Sequence, residues 1–225
     1  MKSNARENQD LIALCLFNCK KDGTYLEIGA GAPISGSNTY LLENDFNWSG
    51  ISVEWNEWNA KAFNSTRKNK CICQDATILD YDDIIEKNSD IFKNQPIDFL
   101  QLDVEPAANT FKVLQRIDLN KHTFSFITYE HDTYGKDNEE RTASRDLLEQ
   151  HGYTRFFSDV CHAGGRFEDW YVNENTIPTD KWKEFVYERQ SMNTKHMPHE
   201  IKDKISNILS PFLKENEQVE FSYID

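Results

Sequence analysis

The chain has 225 residues, 38% hydrophobic and 28% charged, which is enough to bury one α/β core and excludes a disordered polypeptide. Its formal net charge of −13 argues against nucleic-acid binding and suits a metal ion or a neutral, polyhydroxylated partner. No run of about 18 apolar residues is present to span a membrane, and residues 1–10 lack the apolar stretch of a signal peptide, so a cytoplasmic setting is expected.

Residues 6–20 place Leu11, Ile12, Leu14 and Leu16 at near-helical spacing and read as an opening helix. Residues 24–28 form a short apolar strand, and 29–36 a loop. A helix over 37–44, capped at Ser35 or Ser37, is expected next. Strand 50–54, helix 57–68 and strand 70–74 follow. Residues 81–92 are partly helical, and 97–102 are nearly continuous in apolar residues, as befits the middle of a parallel sheet. Pro106 suits the first position of a helix running to Arg116. Strand 123–129 and helix 138–151 come next, and Gly152 fits the helix stop. Residues 153–160 and 167–172 then read as two strands with no long helix between them.

Alternating strands and helices predict a doubly wound α/β sheet, mostly parallel and seven-stranded, closed by an antiparallel hairpin. Residues 1–178 would form this domain, and 179–225 a helical extension packing on it, with a last helix over 199–213. The odd number of cysteines, five, shows no disulfide framework, so they read as structural thiols.

Ligands of open α/β sheets bind beyond the carboxyl ends of the strands. The first strand ends Glu27-Ile28-Gly29-Ala30-Gly31, where glycines let the backbone turn tightly against a ligand. The third glycine, Gly36, comes too late for a pyrophosphate loop, and a carboxylate at Glu27 suits an ammonium group such as that of a methionine moiety. Glu54, at the end of the second strand, is placed for ribose hydroxyls, and Asp75, after the third, for an adenine amino group. Ser37 and Asn38 beyond the loop, Trp55 beside Glu54 and Ala76 beside Asp75 complete the expected cofactor contacts, with Asp103 across the cleft.

The fourth strand runs into Asp103-Val104-Glu105-Pro106 and the fifth into Glu130-His131-Asp132. Ionisable groups meeting there would repel unless a cation joined them, so a divalent ion on Asp103, Glu130 and either His131 or Asp132 is expected. Such an ion would hold a diol, and Glu105 would take the proton of a hydroxyl acceptor. His131 is an alternative base.

The segments Leu26–Gly31, Ser52–Asn56, Leu100–Pro106 and Ile127–Asp132, with Phe167-Glu168-Asp169-Trp170, resemble the FkbM-type methyltransferases over roughly residues 23–172. The resemblance implies a Rossmann-like class I methyltransferase fold, S-adenosylmethionine as cofactor, and O-methylation of sugars or of natural-product hydroxyls. A looser similarity to magnesium-dependent sugar O-methyltransferases implies Mg or Mn. A sugar or glycan acceptor is the expected partner, and the tail would cover the acceptor or mediate a homodimer. The competing reading is a nucleotide-sugar glycosyltransferase with Asp103 and Glu105 as a metal-binding pair. An NAD-linked oxidoreductase and a non-catalytic module stand further off.

Overall fold

The computed structural model describes residues 1–93, 96–134, 138–162, 165–188 and 197–222. In chain order its elements are α1 (Gln9–Leu16), β1 (Thr24–Ile28), α2 (Tyr40–Phe46), β2 (Ser49–Glu54), α3 (Glu57–Thr66) and β3 (Lys70–Cys73). Then come α4 (Tyr81–Lys87), α5 (Ser89–Phe92), β4 (Ile97–Leu102), α6 (Ala107–Leu114), β5 (Phe124–Glu130) and α7 (Glu139–Gln150). The chain continues with β6 (Tyr153–His162), β7 (Gly165–Asn173), α8 (Thr179–Trp182), β8 (Tyr187–Glu188) and α9 (His199–Leu209). Short 3₁₀ turns stand at Ala76–Ile78, Lys183–Phe185 and Ser210–Phe212.

One sheet runs in the order β3-β2-β1-β4-β5-β7-β6-β8. β1 to β5 are mutually parallel where they pair, and β7 returns antiparallel between β5 and β6. This is the doubly wound sheet with a closing antiparallel hairpin that the sequence predicts, with one addition. Tyr187–Glu188 lies parallel to β6 as a short eighth strand, within a tail expected to be helical. The tip of the hairpin, residues 163–164, and parts of the tail, 189–196 and 223–225, lie outside the described residues. The opening helix starts later than predicted, because residues 2–8 form a turn held by Asp10. The second helix likewise starts at Tyr40 and not at 37.

Strand alternation sorts the core into two layers. Tyr25, Phe99, Phe126 and Val172 face α1, α2, α8 and α9, and their cluster includes Leu11, Leu14, Trp182, Ile201, Ile205 and Leu209. Leu26, Leu100, Ile127 and Tyr171 face the other way, toward Ile84, Val113, Leu114 and Leu148 of α4, α6 and α7. The residues after 178 thus bury their apolar stripe in the same cluster as α1. No helix among the described residues is long and apolar enough to cross a membrane.

The first layer matters for the site. Two residues on from Tyr25, Phe99, Phe126 and Val172, the register pairs Glu27 with Gln101, Gln101 with Thr128 and Thr128 with Trp170. Two further on stand Gly29, Asp103 and the cross-strand pair Glu130 and Glu168. One face of the sheet therefore turns from aromatic to polar to acidic as it approaches its carboxyl edge.

Candidate active site

A cleft of about 490 Å³ lies over that edge, lined by Gly29, Gly31, Glu54, Trp55, Asp75, Ala76, Asp103, Glu105 and Glu130. It shares Gly29, Gly31, Asp103 and Glu130 with an inner chamber of about 200 Å³, whose other walls include Glu27, Ala30, Asn38, Gln101, Phe167 and Glu168. Together they have the size of an ordinary small-molecule site. A larger open groove of about 690 Å³ runs between α6 and α7, but no strand reaches it and it gathers no chemistry.

The glycine loop is built by contact. Gly29 has φ +85°, and a Cβ on it would stand 1.6 Å from the Asp103 carbonyl oxygen, so only glycine lets β1 and β4 close here. The amides of Gly29 and Ala30 both donate to the Val53 carbonyl, at 2.9 and 3.0 Å. The Gly31 amide donates to Glu54 Oε2 at 2.8 Å, and the Asn56 amide to Glu54 Oε1 at 2.7 Å. The loop amides are thus spent on β2 and its end, and do not converge on a phosphate as a dinucleotide loop does. Each Glu54 oxygen keeps a lone pair for a further donor in the cleft.

Glu27 is buried, and its carboxyl is raised above its ordinary range by burial, against the opposing pull of Arg67. It accepts from Thr39 Oγ1 at 2.8 Å and Ser52 Oγ at 2.6 Å. Arg67, which the sequence reading passed over, organises this wall. It pairs with Glu43 at 2.7 Å and donates to the Pro33 carbonyl at 3.0 Å, Ser37 Oγ at 3.1 Å and Thr39 Oγ1 at 3.0 Å. Ser37 is therefore not a cleft residue, contrary to expectation. Its hydroxyl accepts from Arg67 and from the amides of Thr39 and Tyr40, which fixes the start of α2. Asn38 does face the chamber. Its Oδ1 and the Oε1 of Gln101 are buried without a hydrogen-bond partner, and both residues line the chamber. Buried acceptors left open at a cavity wall call for a donor in that cavity.

In the outer cleft, Asp75 caps the 3₁₀ turn by accepting from the Thr77 amide at 2.8 Å, which with the Thr77 side chain holds its carboxyl below the usual range. Trp55, 76% exposed, borders the same opening.

Across the cleft, Glu130 lies within hydrogen-bond reach of both Asp103 and Asp132. Burial first, and then the charge of Asp103, holds the Glu130 carboxyl well above its ordinary range. Burial also raises Asp103, although its hydrogen bond with Glu130 pulls it back down. Of the two interacting carboxyls, Glu130 is the one burial and its neighbour hold higher. Tyr134 Oη donates to Glu130 Oε1 at 3.2 Å. Glu105 is exposed at the rim of the outer cleft.

His131 is placed elsewhere. Following directly on Glu130, the last residue of β5, it projects from the opposite face, where Nε2 lies 3.5 Å from Asp159 and 3.6 Å from Asp169. It lines neither chamber, so neither the base nor the metal-ligand role expected of it has a place in the cleft. Asp132 turns back with φ +52° to stand beside Glu130, but it lines neither chamber. Among the described residues, the one set of ligand atoms compact enough for a metal is His131, Asp159 and Asp169. Arg141 and Arg145 already neutralise it, with contacts of 2.6 to 3.0 Å to both aspartates, so a divalent ion would meet two guanidinium groups there. Asp103, Glu130 and Asp132 do not converge on one point, and the expected metal centre is not assembled by these residues.

No protein-family model matches the chain, and no curated protein sequence matches it. Solved structures do resemble its fold. The Dnmt2 methyltransferase of S. pombe superposes with a TM-score of 0.50 at 13% identity, covering 76% of this chain and 56% of that one. A TehB-like SAM-dependent methyltransferase from Corynebacterium glutamicum gives 0.44 at 8% identity, over 72% and 87% of the two chains. A SAM-dependent methyltransferase from Archaeoglobus fulgidus gives 0.42 at 15%, over 90% and 86%. The sheet order and the likeness to Dnmt2 give the Rossmann-like fold of class I methyltransferases, with a mixed sheet ending in antiparallel strands.

Proposed function

We propose that this chain is an S-adenosylmethionine-dependent methyltransferase acting on a hydroxyl of a sugar or similarly polar acceptor. The observation that carries the reading is the division of labour in the glycine loop. The amides of Gly29, Ala30 and Gly31 are spent on Val53 and Glu54, while Asn38 and Gln101, whose buried side-chain oxygens have no hydrogen-bond partner, line the inner chamber. Such a cleft suits a ribose on Glu54 and an ammonium in the chamber, and it offers no amide cradle to the phosphates of a nucleotide sugar or of NAD. The resemblance of the strand-end segments to FkbM-type enzymes points the same way.

The cofactor, when bound, supplies an electrophilic methyl group on a sulfonium. The chain supplies position and proton transfer. Asp103 would accept the proton of the acceptor hydroxyl that takes up this methyl group, with Glu54 and the chamber walls holding the cofactor. Glu130 stays protonated and steadies the carboxylate form of Asp103. This replaces Glu105 as the base, because Asp103 lines both chambers and Glu105 only the outer one. The three-ligand metal set is not assembled by Asp103, Glu130 and Asp132.

Calorimetric titration of the chain with S-adenosylmethionine, S-adenosylhomocysteine, a uridine-diphosphate sugar and NADH tests the reading. The first two are expected to bind and the others not. Binding of the nucleotide sugar alone would replace the methyltransferase with a glycosyltransferase. Methyl transfer is then scored against free and oligomeric sugars.

A further inference from the structure

We propose that Arg6 binds the carboxylate at the amino-acid end of S-adenosylmethionine, as the cationic contact in a cleft otherwise walled by acids. The assignment rests on the cofactor reading above. Among the described residues, Arg6 is the one lysine or arginine that lines either chamber, and it lines both. It is exposed, and its side chain forms no ion pair with a described residue.

The turn that carries it is heavily built. Asp10 is fully buried, and its carboxylate accepts from Ser3 Oγ at 2.6 Å and from the amides of Asn4, Ala5 and Leu11 at 2.8, 3.3 and 2.8 Å. Ala5 makes a β-bridge to Gly36 of the glycine loop. The Ser222 amide donates to Asn8 Oδ1 at 2.8 Å, and its hydroxyl to the Ala5 carbonyl. Gln9 accepts from the Glu7 amide at 2.9 Å and donates to Glu168 at 2.6 Å. Residues on both sides of Arg6 are thereby fixed against the loop, the sheet edge and the tail, and the guanidinium is delivered to the chamber from a rigid base.

The charge balance of the ligand explains why one cation belongs there. Asn38, Gln101 and Glu27 can take an α-ammonium. The α-carboxylate beside it would face the Asp103 and Glu27 side of the chamber, where Arg6 is the one lysine or arginine among the described lining residues. A guanidinium supplies paired donors that match a carboxylate fork to fork, and such charge-assisted contacts are the strong ones.

The test compares binding of S-adenosylmethionine and its decarboxylated analogue to the full chain, to Arg6→Lys and to Arg6→Met, by calorimetry, with thermal melts as the folding control. The wild-type chain is expected to prefer the carboxylate-bearing ligand. Arg6→Met is expected to lose about ten- to a hundredfold in affinity for it, with the analogue unchanged, and Arg6→Lys to retain part of the preference. Equal losses for both ligands would make Arg6 a counter-ion for Asp103 and Glu130 and overturn the assignment, as would no loss for either. A wild-type chain that binds neither ligand would overturn the cofactor reading itself, and this assignment with it.

Discussion

The Asp103 carbonyl oxygen occupies the space a side chain at Gly29 would need: an added Cβ would lie 1.6 Å from it. Gly31, two residues on, has open space around it and only a left-handed φ of +58°. The two glycines therefore separate two costs. Gly29→Ala must force β1 and β4 apart, and is expected to abolish cofactor binding and lower the melting temperature. Gly31→Ala carries the left-handed penalty alone, about 1 kcal/mol, and should bind more weakly but measurably. Paired melts and titrations check this; a well-folded Gly29→Ala variant with full affinity would contradict the structure.

The pairing of Asp103 and Glu130 has a kinetic signature. Two interacting carboxyls ionise in two macroscopic steps, so the pH profile of kcat/KM should carry both. Glu130→Gln removes one ionisable group while its amide still donates to Asp103, and a single ionisation should remain. Asp103→Asn removes the base and should cost about 10² to 10⁴ in kcat. Chelator should leave all of these rates unchanged. Activity lost to chelation and restored by Mg would reinstate an ion between the two carboxylates.

His131 supplies the converse test. Burial would raise the Asp169 carboxyl, but His131 beside it and the hydrogen bonds from Arg145 outweigh that and hold the group far below its usual range. A depressed carboxyl contributes stability that is present above its unfolded pKa of about 3.9 and is lost as pH falls toward the folded value. His131→Ala should therefore destabilise the fold by about 2 to 3 kcal/mol near neutrality and weaken its resistance to acid. Methyl transfer per folded molecule should survive. A variant that is stable but inactive would return His131 to the chemistry.

Glu168 behaves in the opposite sense. Burial pushes its carboxyl up to about 8, and burial with the charge of Glu168 does the same to Glu7. A raised carboxyl binds a proton in the folded chain that the unfolded chain has released, so stability falls as pH rises from about 4.3 and levels off above the folded value. Melting temperature should decline between about pH 5 and 8. Glu168→Gln should flatten that decline and add about 1 to 2 kcal/mol at pH 8. A slope unchanged by the substitution would show that other groups set it.

Much of this was legible in the chain because parallel strands write plainly. Ile97–Leu102 is mostly apolar and stops at Asp103, and Thr24–Ile28 stops at Gly29, so the strand ends and the acids beyond them could be located without coordinates. What stayed hidden depended on face and on distance. Glu130, His131 and Asp132 are adjacent in sequence, but alternation sends His131 to the back of the sheet and a left-handed residue brings Asp132 round beside Glu130. Gln101 did leave a signal, as a polar residue in a central strand that otherwise pairs apolar side chains. Arg67 and Arg6 left none, because each acts through contacts with residues some 30 positions away, Ser37 for the first and Gly36, through Ala5, for the second.

The cross-strand pairing of Glu130 with Glu168 has a consequence for how this sequence can change. Burial raises both carboxyls, so holding them opposite each other costs the fold stability as pH rises. Selection for heat resistance alone, applied to a library of variants, should drift toward neutral residues at both positions. The sturdiest survivors should be poor catalysts, and lineages that keep both acids should hold their reserve of stability in the apolar cluster shared by α1 and α9.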